Sequence, residues 1–202
     1  MNTVLRSGPV RAEASVLLLM LIVAVAAPWL GTVEPTLFDP ASRDLLPGAV
    51  GQMATIDGDL VDHRFIMGSD GLGRDIYSRV LYGTRVSLVV GAAVALVAMA
   101  LGIVAGLVAG YFRWLDMIVM RTMDGLMAIP GVLLAIALVA LWGASLPTIV
   151  AAIAIPEVPR VTRLVRSLVL SVREEPYVEA AVAIGTSPMR ILFRDVLPNC
   201  MA

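Results

Sequence analysis

Residues 86–112 read VSLVVGAAVALVAMALGIVAGLVAGYF, and this stretch decides the fold. It carries no charged side chain over 27 residues, whereas an α-helix needs about 20 apolar residues to cross a bilayer. Gly102, Gly106 and Gly110 recur at four-residue intervals and place a smooth strip along one helix face. In lipid, such strips allow close helix contact. The stretch predicts a transmembrane helix whose glycines serve packing rather than a direct substrate role.

The composition of the whole chain agrees with a membrane protein. Of its 202 residues, 59% are hydrophobic, against 45–50% in a typical soluble domain. The net charge of −1 gives no argument for nucleic-acid binding. All 15 basic residues are Arg, so a P-loop with its Lys is excluded.

Single Cys and His residues exclude further chemistry. With only Cys200 and His63, the chain can form no internal disulfide and offers no typical zinc ligand set. We interpret His63 as a loop residue without a catalytic role, and we predict no catalytic and no metal-binding residue. A membrane enzyme is the least favoured class because the polar residues are dispersed along the chain.

The apolar runs predict the domain organisation. Residues 1–33 are expected to hold the N-terminus and a first span, which lacks the cleavage signal of a secretory peptide. Residues 34–84 form a polar, acid-rich loop with a short helix at Asp75–Tyr82. The remaining 85–202 are expected to hold spans at about 86–112, 116–142 and 147–168, with a kink at Pro130. The distribution of Arg places the N-terminus and everything after the fourth span in the cytoplasm.

Residues 174–199, EEPYVEAAVAIGTSPMRILFRDVLPN, predict two short helices hinged at Gly185. Prolines suit the first position of each helix, and Gly185 suits the C-cap of the first one. The expected apolar face of the first helix consists of Tyr177, Ala180, Ala181 and Ile184. Periodicity leaves both a lipid surface and a protein as docking partners, and the nearby acids favour a protein groove.

The same stretch resembles a known sequence motif. Glu179-Ala180-Ala181, Gly185 and Leu197-Pro198 are spaced as in the EAA loop of ABC importer permeases. The resemblance implies that residues 176–197 are coupling helices that sit in a cleft of a cytoplasmic ATPase. The residues that it implies for ATPase coupling are Glu179, Ala180, Ala181, Gly185, Arg190 and Arg194.

A second stretch, residues 67–88, is similar to the signature of the C-type permeases of dipeptide, oligopeptide and nickel importers. Its matching positions include Gly68, Asp70, Gly73, Arg74, Asp75, Ser78 and Arg79, while Ser69 replaces the usual Thr. Together the two resemblances imply an all-α polytopic membrane protein, the MetI-like transmembrane domain of a type I ABC importer. About four of the six spans of that family are expected here, which indicates a C-terminally truncated chain.

The resemblance also implies a set of partners. These are a second homologous permease subunit, two cytoplasmic ABC ATPase subunits, an extracytoplasmic solute-binding protein and a peptide substrate. ATP would be bound by the ATPases, so no cofactor is expected in this chain, and the location would be a bacterial inner membrane. Transport of nickel or another small solute, and an inactive truncated membrane scaffold, stay open as alternatives.

One acidic residue departs from the usual pattern of the fourth span. Glu157 lies between Pro156 and Pro159 in the segment IPEVPR, residues 155–160. An acid within a span is a functional candidate by default, either as a lining of the pathway or as a partner of Arg160.

Overall fold

A computed structural model of the chain describes residues 8–54, 60–186 and 188–191, without the side chains of residues 54, 60, 179, 182, 188 and 189. Its contacts divide the chain into two compact units, residues 1–89 and 90–202. Each unit is described by itself, although one long helix contributes residues to both.

The first unit begins with helix α1, Gly8–Ala26, which ends in a 3-10 turn. An antiparallel hairpin of β1, Val50–Ala54, and β2, Leu60–Arg64, follows. Phe65 and Met53 are buried and form the apolar centre of this region. The sequence predicted a loop with one short helix here, so the hairpin is an addition to the otherwise helical fold. Its strands have little apolar alternation, which is the signal that would have predicted them.

Helix α2 runs from Ile76 to Tyr111. Its 36 residues span about 54 Å, which exceeds a hydrocarbon layer of about 30 Å. The sequence predicted a short helix at Asp75–Tyr82 and a separate span at 86–112, and the structure joins the two. Gly83 lies at the expected gap, but a glycine within a helix costs only about 1 kcal/mol and does not end it.

The second unit continues with α3, Arg113–Ala128, and α4, Gly131–Trp142. These two helices are bent by 88° at the break between them, which confirms the kink predicted at Pro130. Helix α5, Leu146–Arg173, then runs unbroken through Pro156 and Pro159. Helices α6, Pro176–Ala183, and α7, Pro188–Ile191, follow it.

The glycine strip of α2 packs against α5. A Cβ added at Gly102, Gly106 or Gly110 would lie 2.5–2.7 Å from the Cβ of a valine of α5, namely Val161, Val165 and Val169 in that order. Cβ atoms essentially never approach so closely. The predicted close helix contact is therefore confirmed, and the partner is α5.

Two helical segments of the described chain are long and apolar enough to cross a membrane, Gly8–Trp29 and Ile76–Tyr111. The bent pair α3–α4 makes a third if it counts as one span. Helix α5 is long enough but carries several charges in its second half, as its sequence shows.

Candidate functional site

Helix α6 contains the Glu-Ala-Ala motif and docks on the second unit by one face. Val178 is 2% exposed and lies in an apolar cluster with Leu107 of α2 and with Val165 and Val169 of α5. Ile191 of α7 is 1% exposed and belongs to the same cluster, and Ala181 packs against it. Both short helices are thus fixed to α2 and α5 by apolar side chains.

The other face of α6 is exposed. Ala180 is exposed, and the side chain of Ile184, in the turn directly after α6, keeps 82% of its surface accessible. The sequence predicted one apolar face of Tyr177, Ala180, Ala181 and Ile184, and the structure divides that face. Ala181 lies toward the cluster, whereas Ala180 and Ile184 point away from it. The sequence analysis missed Val178, the buried anchor, which lies three residues before Ala181.

Gly185 ends α6 in the left-handed region, with φ of +77°. The backbone N–H of Thr186 donates to the carbonyl of Ala181 at 3.0 Å, and that of Ile184 donates to Ala180 at 3.1 Å. The first of these bonds is the one that defines a Schellman C-cap. The predicted glycine C-cap is confirmed, and the conformation rather than space requires glycine, because nothing lies within 4 Å of an added Cβ.

Part of the predicted coupling site lies outside the described residues. This holds for Arg194, for Leu197-Pro198, and for the side chain of Glu179. Arg190 lies in α7 and is exposed.

An open cavity of about 870 Å³ lies beside α6 in the second unit. Its charged lining residues are Arg113, Asp116, Arg166, Arg173 and Glu174. Arg173 donates from Nη1 to the carbonyl of Tyr111 at 3.2 Å, and its guanidinium lies 6.0 Å from the centre of that ring. The last turn of α5 is thereby attached to the last turn of α2.

The signature residues of the first unit hold its loop together. Asp70 Oδ1 accepts hydrogen bonds from the backbone N–H groups of Leu72 and Arg74, at 2.9 and 3.0 Å. Its Oδ2 accepts from Arg74 Nε at 2.8 Å and pairs with Arg79. One carboxylate therefore fixes a turn and attaches it to the first turns of α2.

These bonds control the ionisation of Asp70. Burial would raise its pKa, but the two backbone hydrogen bonds and the bond and charge of Arg74 outweigh burial and lower the pKa to about 2. The carboxylate is charged at any physiological pH.

Two signature glycines allow close backbone contact. Gly68 and Gly73 have φ of +80° and +78°, a region that other residues rarely adopt. A Cβ at Gly68 would overlap the carbonyl oxygen of Leu45, and one at Gly73 would overlap that of Asp39. Both positions therefore require glycine for two independent reasons.

Asp75 and Ser78 are buried at the start of α2. Asp75 Oδ2 accepts from the backbone N–H of Ser78 at 2.9 Å and from its hydroxyl at 2.5 Å, so Asp75 caps the helix. Ser78 Oγ also accepts from the backbone N–H of Val33 at 2.9 Å. The signature thus joins the start of α2 to the segment that follows α1.

His63 is part of the same arrangement. Its Nε2 lies 3.6 Å from Asp75 Oδ2, and its ring meets Phe65 edge-on with centres 5.0 Å apart. Within the described residues, neither His63 Nε2 nor Asp75 Oδ1 has a hydrogen-bond partner. The sequence offered no pattern that linked His63 to Asp75, because β2 and α2 meet only in the folded unit.

Glu157 is paired within α5. Arg160 Nη1 lies 2.8 Å from Glu157 Oε2, three residues earlier on the same helix. This pairing is one of the two roles that the sequence left open for Glu157. Elsewhere, no three His, Cys, Asp or Glu side chains of the described residues come together in a way that could hold a metal ion.

The fold and these two sites define the class of the protein, a helical membrane component with a capped, two-helix loop on its transmembrane bundle. Residues 98–202, just over half of the chain, match the family described as the binding-protein-dependent transport system inner membrane component. The chain belongs to this family, and the predicted MetI-like fold class is confirmed. Its members are components of transport systems rather than enzymes.

Several similar proteins carry names from peptide transport. A probable peptide ABC transporter permease of Sinorhizobium fredii is 47% identical over 88% of this chain and 56% of its own length. A putative peptide transport permease of Brucella suis is 38% identical over 98% of this chain and 62% of its own length. A dipeptide transport permease of Alkalihalophilus pseudofirmus is 41% identical over 90% of this chain and 56% of its own length. The chain therefore spans about three fifths of the length of these relatives.

Proposed function

We propose that the chain is part of a permease subunit of a bacterial ABC importer for di- or oligopeptides. Separate cytoplasmic ATPase subunits would supply the energy and bind the ATP. A second, homologous permease subunit would complete the pathway, and an extracytoplasmic binding protein would deliver the peptide to the loop of residues 34–84. The chain would lie in the inner membrane with its N-terminus in the cytoplasm, as the Arg distribution indicates.

The observation that carries this proposal is the two-sided contact surface of α6. Val178 and Ala181 pack on the cluster that joins α2 and α5, while Ala180 and Ile184 stay exposed. A helix that is fixed to the bundle on one side and apolar on the other can transmit a push from a soluble partner to the bundle. The C-cap at Gly185 sets the direction in which the chain leaves this surface.

The substrate class rests on the relatives. Those named above are described as peptide or dipeptide permeases, and a further one, from Pectobacterium atrosepticum, is a glutathione permease with 46% identity over 67% of this chain. These names favour a peptide over nickel.

The test uses the complete transporter in proteoliposomes, with uptake of labelled dipeptide and of ⁶³Ni²⁺ measured in parallel. Ile184→Glu places a charge on the exposed surface at the end of α6, and Ile184 is not part of the buried cluster. We expect it to abolish co-purification of the ATPase and to lower peptide uptake by about tenfold or more, as for a buried contact residue of a protein interface.

Leu146→Glu is the matched control, because it adds the same charge to a side chain that is 56% exposed at the other end of α5. It should leave ATPase binding intact. Full uptake by the Ile184→Glu transporter would contradict the role of α6, and uptake of nickel without peptide would contradict the substrate class.

A further inference from the structure

Two ion pairs connect α3 to α5. Arg166 of α5 forms a bidentate pair with Asp116 of α3, with Nε–Oδ1 at 2.5 Å and Nη2–Oδ2 at 2.6 Å. Arg163 Nη2 lies 2.6 Å from Asp124 Oδ1, two turns further along α3. Paired N–H···O bonds of this kind fix orientation as well as distance.

Apolar packing holds helix α3 only in part. None of its described side chains is fully buried, and its apolar stripe of Leu115, Val119, Met123 and Leu126 is half-buried, so apolar packing holds α3 less firmly than it holds α6. At its start, Phe112 is non-helical and separates it from α2, and at its end the 88° break at Ile129–Pro130 separates it from α4. The two ion pairs therefore add a directional attachment to this partial apolar packing.

The partner of these carboxylates is the turn of α5 that also receives α6. Arg166 lies between Val165 and Val169, and both valines belong to the cluster that contains Val178 of α6. The same valines receive Gly106 and Gly110 of α2. Residues 163–169 thus contact α2, α3 and α6 within two turns.

We propose that Asp116 and Arg166, supported by Asp124 and Arg163, are positioning residues that make α3 move with α5 when α6 is pushed. This inference rests on the proposed function, because it concerns how a stroke received at α6 spreads through the bundle. The pair of Asp116 and Arg166 dominates, since its side chains are 25% and 30% exposed, against 55% and 45% for Asp124 and Arg163. A more exposed pair is more strongly screened.

The first experiment compares peptide uptake and ATP hydrolysis in the same proteoliposomes. Asp116→Asn removes the charge with little change in shape, and we expect peptide taken up per ATP to fall about fivefold or more, in the range of typical coupling between sites. The double variant Asp116→Arg with Arg166→Asp restores an ion pair and should recover most of that ratio. Arg121→Gln is the control, because Arg121 is exposed on α3 and has no ion pair among the described residues.

A second readout does not depend on transport. Spin labels replace Met117 of α3 and Ser171 of α5, both exposed, in a chain with Cys200→Ser. The distance between the labels should be narrow and equal in the nucleotide-free and vanadate-trapped transporter, and it should broaden in Asp116→Asn.

Three results would overturn the inference. They are an unchanged uptake per ATP in Asp116→Asn, a loss of folded protein with an unchanged ratio in what remains, and a label distance that changes on trapping in the wild type. Absence of peptide uptake by the wild type would instead contradict the proposed function, and the label distances would still test α3 against α5.

Discussion

Gly106 lies at the middle of the contact between α2 and α5, and its replacement by alanine should destabilise the protein. The added Cβ would lie 2.7 Å from Val165 Cβ, 2.8 Å from the carbonyl oxygen of Thr162 and 2.9 Å from Val165 Cγ1. An ordinary contact begins near 3.4 Å, so the helices must separate by roughly 0.7 Å or Val165 must shift. The Thr162 oxygen is a backbone atom of α5, and Thr162 is fully buried. This contact can therefore be relieved only by a shift of α5 itself.

Two opposing terms decide the magnitude. Alanine favours a helix over glycine by about 1 kcal/mol, while overpacking a tight contact costs about 1–3 kcal/mol. Because the added atom meets backbone as well as side chain, we expect overpacking to win by about 1 kcal/mol. Gly106→Val adds two further methyl groups and should cost more.

The assay is the apparent Tm of the solubilised protein, compared with that of Gly91→Ala. Gly91 lies on the same helix, and nothing lies within 4 Å of a Cβ added there. A change of 1 kcal/mol shifts the Tm of a chain of this size by about 2–4 °C. The Tm of Gly106→Ala should therefore be lower than that of the wild type, and the Tm of Gly91→Ala should be equal or higher. A Gly106→Ala protein at least as stable as Gly91→Ala would refute the close contact between α2 and α5.

Two further predictions concern the first unit. Gly73→Ala should unfold the signature loop, because its Cβ would overlap the Asp39 carbonyl and its φ is +78°. Gly71→Ala is the control and should be tolerated, because its Cβ would lie 3.8 Å from Asp44. Limited proteolysis should cleave the Gly73→Ala protein faster, and equal resistance of the two variants would contradict the overlap. The charged form of Asp70 is stabilised on folding, because its pKa is about 2 when folded, below the ordinary value of 3.8. Its contribution, about 1–2 kcal/mol after allowance for partial exposure, is present above pH 4 and is lost as the pH falls toward 2. The Tm difference between wild type and Asp70→Asn should shrink over that range, and a constant difference would contradict the assignment.

The parts of the fold that sequence predicted are those set by local pattern. An uncharged run gives a membrane helix, a proline gives the bend before Gly131, and glycine after a short helix gives the C-cap at Gly185. Each of these depends on residues within a few positions of one another. The predicted break between Tyr82 and Val86 was wrong, because α2 continues through it. Gly83 and Arg85 lie there, and such residues indicate a change of surroundings without ending a helix.

The parts that sequence could not predict depend on residues distant along the chain. Val165 as the partner of Gly106, Arg166 as the partner of Asp116, and His63 beside Asp75 all join elements that meet only on folding. Periodicity found that α6 has an apolar face but could not tell which side is occupied, because both sides carry small apolar residues. Burial of Val178 and exposure of Ile184 resolve that choice.

The residues of the signature stretch acquire a physical meaning from the folded loop. Asp70 binds a turn and two arginines, Gly73 admits a carbonyl oxygen, and Asp75 with Ser78 caps α2. Each of these side chains, and the space beside Gly73, is in contact with another part of the first unit. These residues of the stretch therefore act as a scaffold that holds the loop at the start of α2, and the partners that we propose for the loop would contact residues outside this scaffold. Phe38 and Leu46 lie in the loop outside the signature stretch and keep exposed apolar side chains, so they are the surface that we propose for such a contact.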